Sequence, residues 1–162
     1  MSSKVNATAT DNAASRHTEK THAPDCVREV ADRFAQTYGL TQVDPYFAQL
    51  FAQTVEVRHN FNQDIIMLSG EEFAGAMLRM LRATADIMQG HSDQIRCLQV
   101  SHDGFTLAAT ASGELNGASL HIVRCLVVSV HEGHITGIYE FGDRQQRAPL
   151  DEALRAAGMF RT

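Results

Sequence analysis

The chain has 162 residues, a hydrophobic content of 44% and a net charge of -5 at pH 7. This length and composition suit one domain with a core of ordinary size. Because the basic residues are scattered singly, we expect no nucleic-acid surface. No apolar stretch approaches the ~20 residues of a membrane span and no signal peptide is evident, so we expect a cytoplasmic protein that binds no membrane.

The N-terminal third is predicted to contain a tail and two helices. Residues 1–23 are rich in Ser, Thr, Ala and Asn and have almost no large apolar side chain, which predicts a disordered tail. The folded domain is predicted at residues 24–162. Apolar residues recur at helical spacing through 27–38, and a second, short helix is expected after Asp44-Pro45.

The middle of the chain is predicted to form a strand, a short extended segment and a third helix. Residues 54–59 alternate apolar and polar, so we expect a strand that ends at His59. Ser69 and Glu72 have the spacing of a capping box and predict the start of the third helix.

The remainder of the sequence alternates like a series of hairpins. The predicted strands, separated by turn signals such as Asn116-Gly117, are at 93–101, 104–115, 119–131 and 134–143. A short helix is expected after them. The element order predicts an α+β fold, in which three helices from the N-terminal half pack on a curved antiparallel sheet. Such a sheet leaves a hollow at its open end, where ligands bind.

Three segments carry a resemblance to a known superfamily. They are YFAQLFAQTVEVRHNF at 46–61, SGEEFAGAMLRML at 69–81 and HEGHITGIYEFGD at 131–143. With the element order, they resemble the nuclear transport factor 2-like superfamily, and within it the SnoaL-like branch of polyketide cyclases and ketosteroid isomerases. The resemblance implies a cone-shaped α+β roll over about residues 25–155, with a deep apolar pocket and often a homodimer formed through the sheet. This fold hosts enzymes and non-catalytic domains alike.

The candidate catalytic residues are His59, Tyr38 and Glu140. The resemblance places His59 where ketosteroid isomerases hold the carboxylate that moves a proton, and histidine exchanges protons near neutral pH. The alternative is a strand-end histidine that bonds to a carbonyl or to water. Tyr38 would orient or polarise a substrate, although the position expected for the isomerases' tyrosine is occupied here by Phe34. Glu140 matches the acid in the last strand of limonene epoxide hydrolase, a related enzyme.

Arg124 is the one charge in an otherwise apolar strand, and burying it without a partner would be costly. We expect it to pair with Glu140 on the neighbouring strand, to make a contact at a dimer interface, or to bind an anionic ligand. Tyr139 and Glu140 are adjacent and point to opposite faces, so the sheet register decides which one faces the pocket. Asp143 either caps the following turn or belongs to the ligand site.

The other candidate ligand contacts are apolar or aromatic side chains that could equally form the core. They are Phe34, Tyr46, Phe73, Met77 and Met80. No metal site is expected, because the histidines around 121–134 lack the spacing of metal ligands. No cofactor is expected either, since the chain has no Gly-rich phosphate-binding loop.

Two functions remain open from the sequence. The first is a cofactor-free isomerase, lyase or hydrolase that acts by acid–base chemistry on a small apolar cyclic or polyketide-like molecule. The second is a non-catalytic ligand-binding or dimerisation domain of the same fold. Both predict a small apolar ligand and a homodimer.

Overall fold

A computed structural model describes residues 24–39, 44–60 and 62–159. The predicted tail at 1–23 lies outside the described residues. In chain order, the structure contains α1 (Asp25–Tyr38), a short 3-10 helix (Phe47–Leu50), β1 (Phe51–His59), β2 (Asn62–Ser69), α2 (Gly70–Ile87), β3 (Gln89–Val100), β4 (Gly104–Leu115), β5 (Ala118–His131), β6 (His134–Gly142) and α3 (Arg144–Ala156).

The six strands form one curved sheet in the order β2-β1-β6-β5-β4-β3. The predicted α+β architecture, with helices packed on a curved sheet, is confirmed. The sheet is mixed rather than purely antiparallel, because β1 and β6 lie side by side in parallel. The strand predicted at 54–59 begins earlier, at Phe51, and the strand predicted at 93–101 begins at Gln89.

The hairpins form where their turn residues predict them. Asn116 and Gly117 both have positive φ, and so do Glu132 and Gly133. Two successive residues with positive φ form the tight turn whose twist matches that of paired strands. These turns set the register of β5 against β4 and β6, and so decide which side chains share the inner face of the sheet.

The main core lies between the inner face of the sheet and the helices α1 and α2. Phe34 is fully buried there, and its ring packs against the rings of Tyr38, Phe47, Phe51 and Phe105. A smaller apolar cluster forms where Leu150 and Leu154 of α3 pack against the sheet.

The last helix begins directly after β6. Asp143 caps it, because its Oδ1 atom accepts hydrogen bonds from the backbone N–H groups of Gln145 at 2.8 Å and Gln146 at 3.4 Å. The helix packs against α2 and β5. It therefore lies close to the end of β6, against one side of β5.

Candidate functional site

A cavity of about 570 Å³ lies between the sheet and the helices α2 and α3. Most of its wall is apolar, with side chains from β1, β2, β5 and β6 on one side and from the two helices on the other. Polar and charged side chains interrupt this wall, and among them are Tyr38, His59, Arg124, Glu140 and Arg147. A mostly apolar hollow with a few polar groups is typical of a small-molecule site.

A chain of charged and titratable side chains runs along one part of the wall. His59 is the register partner of Glu140 in the parallel β1–β6 pair, and its Nδ1 atom lies 3.2 Å from Glu140 Oε2. The other carboxylate oxygen, Glu140 Oε1, accepts a hydrogen bond from Arg147 Nη1 at 3.1 Å. Arg147 Nε also donates to Asp151 Oδ1, one helical turn further along α3, at 2.8 Å. Glu140 is thereby held between β1 and α3.

The surroundings of Glu140 favour its ionised form. Burial would raise the pKa of this carboxyl, but contact with the His59 imidazole and the charges of Arg147 and Arg124 outweigh it and lower the pKa below its usual value. Glu140 is therefore a carboxylate at neutral pH, and it can stabilise a positive charge on His59.

Tyr38 and Arg124 form a second polar group on the cavity wall. Tyr38 is the last residue of α1, and the guanidinium carbon of Arg124 lies 5.4 Å from the centre of its ring, a cation–π contact. Burial raises the pKa of Tyr38 to about 12, although the positive charge of Arg124 opposes this shift. The hydroxyl is therefore a proton donor in hydrogen bonds at neutral pH.

The carboxylate nearest to Arg124 comes from β3 and not from Glu140, which corrects the expected Arg124–Glu140 pair. Arg124 Nη2 lies 3.8 Å from Asp93 Oδ1, and His91 Nε2 lies 3.3 Å from Asp93 Oδ2. Glu140 shares the inner face with Arg124, but the register places Gly142 directly opposite Arg124 and turns Glu140 toward α3. Burial raises the pKa of Asp93, while His91 and Arg124 oppose this shift.

Seven of the predicted site residues line the cavity. They are Tyr38, His59, Phe73, Met77, Met80, Arg124 and Glu140. The sheet register places Glu140, and not Tyr139, toward the cavity. Along β6, Ile138 and Glu140 point inward, while Tyr139 and Phe141 point outward. Met80 also contacts a charged wall residue, since Arg147 Nη2 lies 3.4 Å from its sulfur.

Four predicted ligand contacts lie away from the cavity. Phe34 is enclosed by the aromatic core, and Tyr46 is 60% exposed just before the 3-10 helix. Tyr139 packs against Phe141 on the outer face of the sheet, with tilted rings whose centres are 4.2 Å apart. Asp143 is the cap of α3. In each case a packing or capping role determines the position of the side chain.

Helix α3 also contributes to the cavity, which was not predicted from the sequence. Arg147, Asp151 and Arg155 recur every fourth residue and line the cavity from one face of this helix. The i, i+4 spacing of opposite charges beside Leu150 and Leu154 was the available signal. Asp93 gave a weaker signal, because one acidic residue in a strand with polar neighbours resembles ordinary solvent-facing alternation.

Within residues 24–39, 44–60 and 62–159, no group of three His, Cys, Asp or Glu side chains is arranged to hold a metal ion. In the same part of the chain, no helix is long and apolar enough to cross a membrane.

Comparison with known proteins identifies the fold. No protein-family model matches the sequence, and no curated protein matches it. Solved structures do match, among them an LEH-like epoxide hydrolase from M. tuberculosis, with 16% identity, a TM-score of 0.54 and coverage of 82% of this chain and 93% of that one. An NTF2-like protein of unknown function from Cytophaga hutchinsonii is 13% identical with a TM-score of 0.53, over 78% of this chain and 96% of that one.

A third match is a protein from Jannaschia sp. CCS1 described as a SnoaL-like polyketide cyclase. It is 10% identical with a TM-score of 0.55, over 76% of this chain and 92% of that one. At these identities, the comparisons show the fold alone. The chain has the nuclear transport factor 2-like fold, and the resemblance seen in the sequence is confirmed at that level.

Proposed function

We propose that the cavity binds a small, largely apolar cyclic or polyketide-like molecule and that His59 exchanges a proton with it. The reaction would be a cofactor-free isomerisation, elimination or hydrolysis. The observation that carries this proposal is the His59–Glu140 contact on the wall of an apolar cavity. Location in the cytoplasm stays a prediction, which imaging of a fluorescent fusion would test.

The contact supports a role for His59 as a general base. When a neutral imidazole accepts a proton from the ligand, the cation that forms lies beside the ionised Glu140, which stabilises it. Arg147 and Asp151 keep the carboxylate in place. The protonated His59 can then return the proton to another atom of the ligand or to a leaving oxygen. The apolar wall supports both steps, because charge interactions are stronger where water is excluded.

Tyr38 and Arg124 support the same proposal as groups that polarise an oxygen atom of the ligand. Both are donors, both line the cavity, and the raised pKa of Tyr38 keeps its proton in place. Such donors stabilise negative charge on a ligand oxygen, whether the free ligand carries that charge or the reaction generates it. In this proposal His59 transfers the proton, while Tyr38 and Arg124 bind the oxygen atom of the ligand.

Substitution of His59 tests the proposed reaction. The wild-type protein would be incubated with a panel of cyclic epoxides and aromatic polyketide esters, and products would be measured by mass spectrometry. Loss of a general base typically lowers turnover by about 10² to 10⁴-fold, and we expect this loss for His59→Gln. The control is His131→Gln, which changes an exposed histidine in the β5–β6 turn.

Each outcome of this experiment separates the two functions. Turnover that survives His59→Gln would contradict the role assigned to His59. Binding of panel members without any turnover by the wild type would favour a non-catalytic ligand-binding domain.

We also propose that the chain forms a homodimer through the outer face of the sheet. Val123, Val127, Tyr139 and Phe141 form an exposed apolar patch there, called the outer patch. Val127 is the register partner of Tyr139, and Cys125 is that of Phe141, so the patch is continuous across β5 and β6. Exposed apolar patches on neighbouring strands often mark interfaces. A second copy of the chain would cover the patch while leaving the cavity open on the opposite face.

A further inference from the structure

Two buried donors in the cavity wall have no hydrogen-bond partner among the described residues. They are the Tyr38 hydroxyl and the Arg124 Nε–H group. Tyr38 is 2% exposed and Arg124 is 5% exposed, so bulk water does not satisfy them. A buried donor without an acceptor costs free energy and calls for a partner that the protein itself does not supply. Both residues line the cavity, so a small movement of either side chain would bring its donor to an acceptor on a bound ligand.

The charges around the cavity indicate what kind of acceptor is favoured. Arginines outnumber acids in the wall, with Arg79, Arg124, Arg147 and Arg155 against Glu140 and Asp151. Of these, Arg147 is already engaged with both acids. Arg124 is different, because it is buried and no acid among the described residues of the cavity wall lies within ion-pair distance of it. A negatively charged group of a ligand would therefore meet an arginine whose charge the cavity does not balance.

Asp93 forms a buried ion pair with Arg124 from outside the cavity wall, but it accepts no hydrogen bond from Arg124. The 3.8 Å separation is too long for a hydrogen bond, and Asp93 does not line the cavity. Both Asp93 carboxylate oxygens lack a hydrogen-bond partner among the described residues. His91, 3.3 Å from Asp93, provides a second neighbour that can be positively charged. If Arg124 binds a ligand, Asp93 still has His91 as a neighbour.

We propose that the ligand is a small apolar carboxylic acid, whose carboxylate accepts hydrogen bonds from the Tyr38 hydroxyl and from Arg124. The inference rests on the proposed ligand-binding function and names the chemical class of its ligand. Asp93 acts as an internal counter-ion that competes with the ligand for Arg124. The apolar part of the ligand occupies the rest of the cavity, beside Phe73, Met77 and Met80.

Paired probes that differ only in charge test this inference. Binding of 2-naphthoate and decanoate would be compared with binding of 2-naphthamide and decanamide by calorimetry at neutral pH. We expect the wild-type protein to bind each acid about tenfold more tightly than its amide, since hydrogen bonds to a charged group are the stronger ones.

Three variants locate the carboxylate. Tyr38→Phe should weaken acid binding about tenfold, whereas the matched Tyr139→Phe on the outer face should not change it. Asp93→Asn should strengthen acid binding severalfold, because it removes the competing charge. The double variant Asp93→Asn/Arg124→Gln removes both buried charges together, so neither is left unpaired, and it should abolish the preference for acids. Thermal melting would establish that each variant is folded.

The outcomes distinguish this inference from the proposal on which it rests. Equal affinity for acids and amides, unaffected by Tyr38→Phe, would overturn the inference and leave an apolar ligand site in place. Weaker acid binding by Asp93→Asn would also overturn it, because Asp93 would then be supporting the site rather than competing for Arg124. Failure of all four probes to bind would overturn the ligand-binding function together with the inference.

Discussion

Glu140 is a buried carboxylate whose ionised form is stabilised by its neighbours in the folded protein. Its ionisation is therefore linked to the stability of the fold. Its folded-state pKa lies below the usual value of 4.5. A lowered pKa means that the carboxylate stabilises the folded protein above pH 4.5. This contribution is lost as the pH falls below that value through the lowered pKa.

We expect Glu140→Gln to lower the free energy of unfolding at neutral pH by about 1–3 kcal/mol, because it weakens the charged hydrogen bond that Arg147 donates to Glu140. The difference from the wild type should shrink as the pH falls below 4.5. Urea unfolding followed by circular dichroism over this pH range measures it. The control is Glu152→Gln, at an exposed position on α3. A constant difference at every pH would contradict the link to ionisation.

Single residues also show how far the sequence could predict the site. The resemblance to a known superfamily identified His59 and Tyr38 as candidates. Arg124 was identified as the one charge in an otherwise apolar strand. The orientation of Glu140 and Tyr139 was not predictable, because it depends on the register of β6 against two other strands. A pair with Glu140 on the adjacent strand was one of the expectations for Arg124. Its carboxylate neighbour instead comes from β3, two strands away in the sheet.

Among the elements, α2 begins at a capping box that the sequence predicted. Ser69 Oγ accepts a hydrogen bond from the Glu72 N–H, and Glu72 Oε2 accepts one from the Ser69 N–H, both at 3.2 Å. This helix carries Phe73, Met77 and Met80 to the cavity, so the start of the helix also positions the apolar wall.

Ser69→Ala should lower the free energy of unfolding by about 1 kcal/mol, since it leaves the Glu72 N–H without its acceptor. Thermal or urea unfolding measures the change, with Ser119→Ala in an exposed part of β5 as the control. Equal stabilities of the two variants would show that the cap contributes nothing beyond an ordinary surface serine.

Helix α3 was predicted as a short terminal helix, but its contribution to the cavity was not predicted. Periodicity identifies a helix and its apolar face, but it does not say where the helix packs. The packing follows from the Asp143 cap, which starts α3 at the end of β6, and from Leu150 and Leu154, which anchor it. Arg147 reaches Glu140 only because of this placement.

For the whole molecule, the outer patch predicts the oligomeric state. If two copies meet there, Val127→Glu places a charge in the contact and should convert dimers into monomers. Sedimentation velocity measures the change. The control is Ile65→Glu, an exposed apolar position on β2, outside the outer patch. A wild-type protein that sediments as a monomer at micromolar concentration would contradict the proposed dimer.

The overall architecture was predictable because helix caps, turn dipeptides and alternating strands are local signals. The parallel pairing of β1 with β6 was not predictable, because alternation of apolar and polar residues indicates a strand but does not show which strand it pairs with. The candidate site depends on that partnership, which explains why the fold was easier to predict than the geometry of the site.

The meeting of β1 and β6 also has a consequence for the order in which the protein is assembled. Asn60 and Gly142 exchange two hydrogen bonds of 3.1 Å across 82 residues of sequence, just beyond the His59–Glu140 contact. Closing so long a loop costs chain entropy before any contact repays it, and distant pairings of this kind slow folding. We expect the hairpins of β3 to β6 to form first and β1 to join them afterwards. During synthesis the two halves of the candidate site therefore remain apart until β6 has emerged from the ribosome.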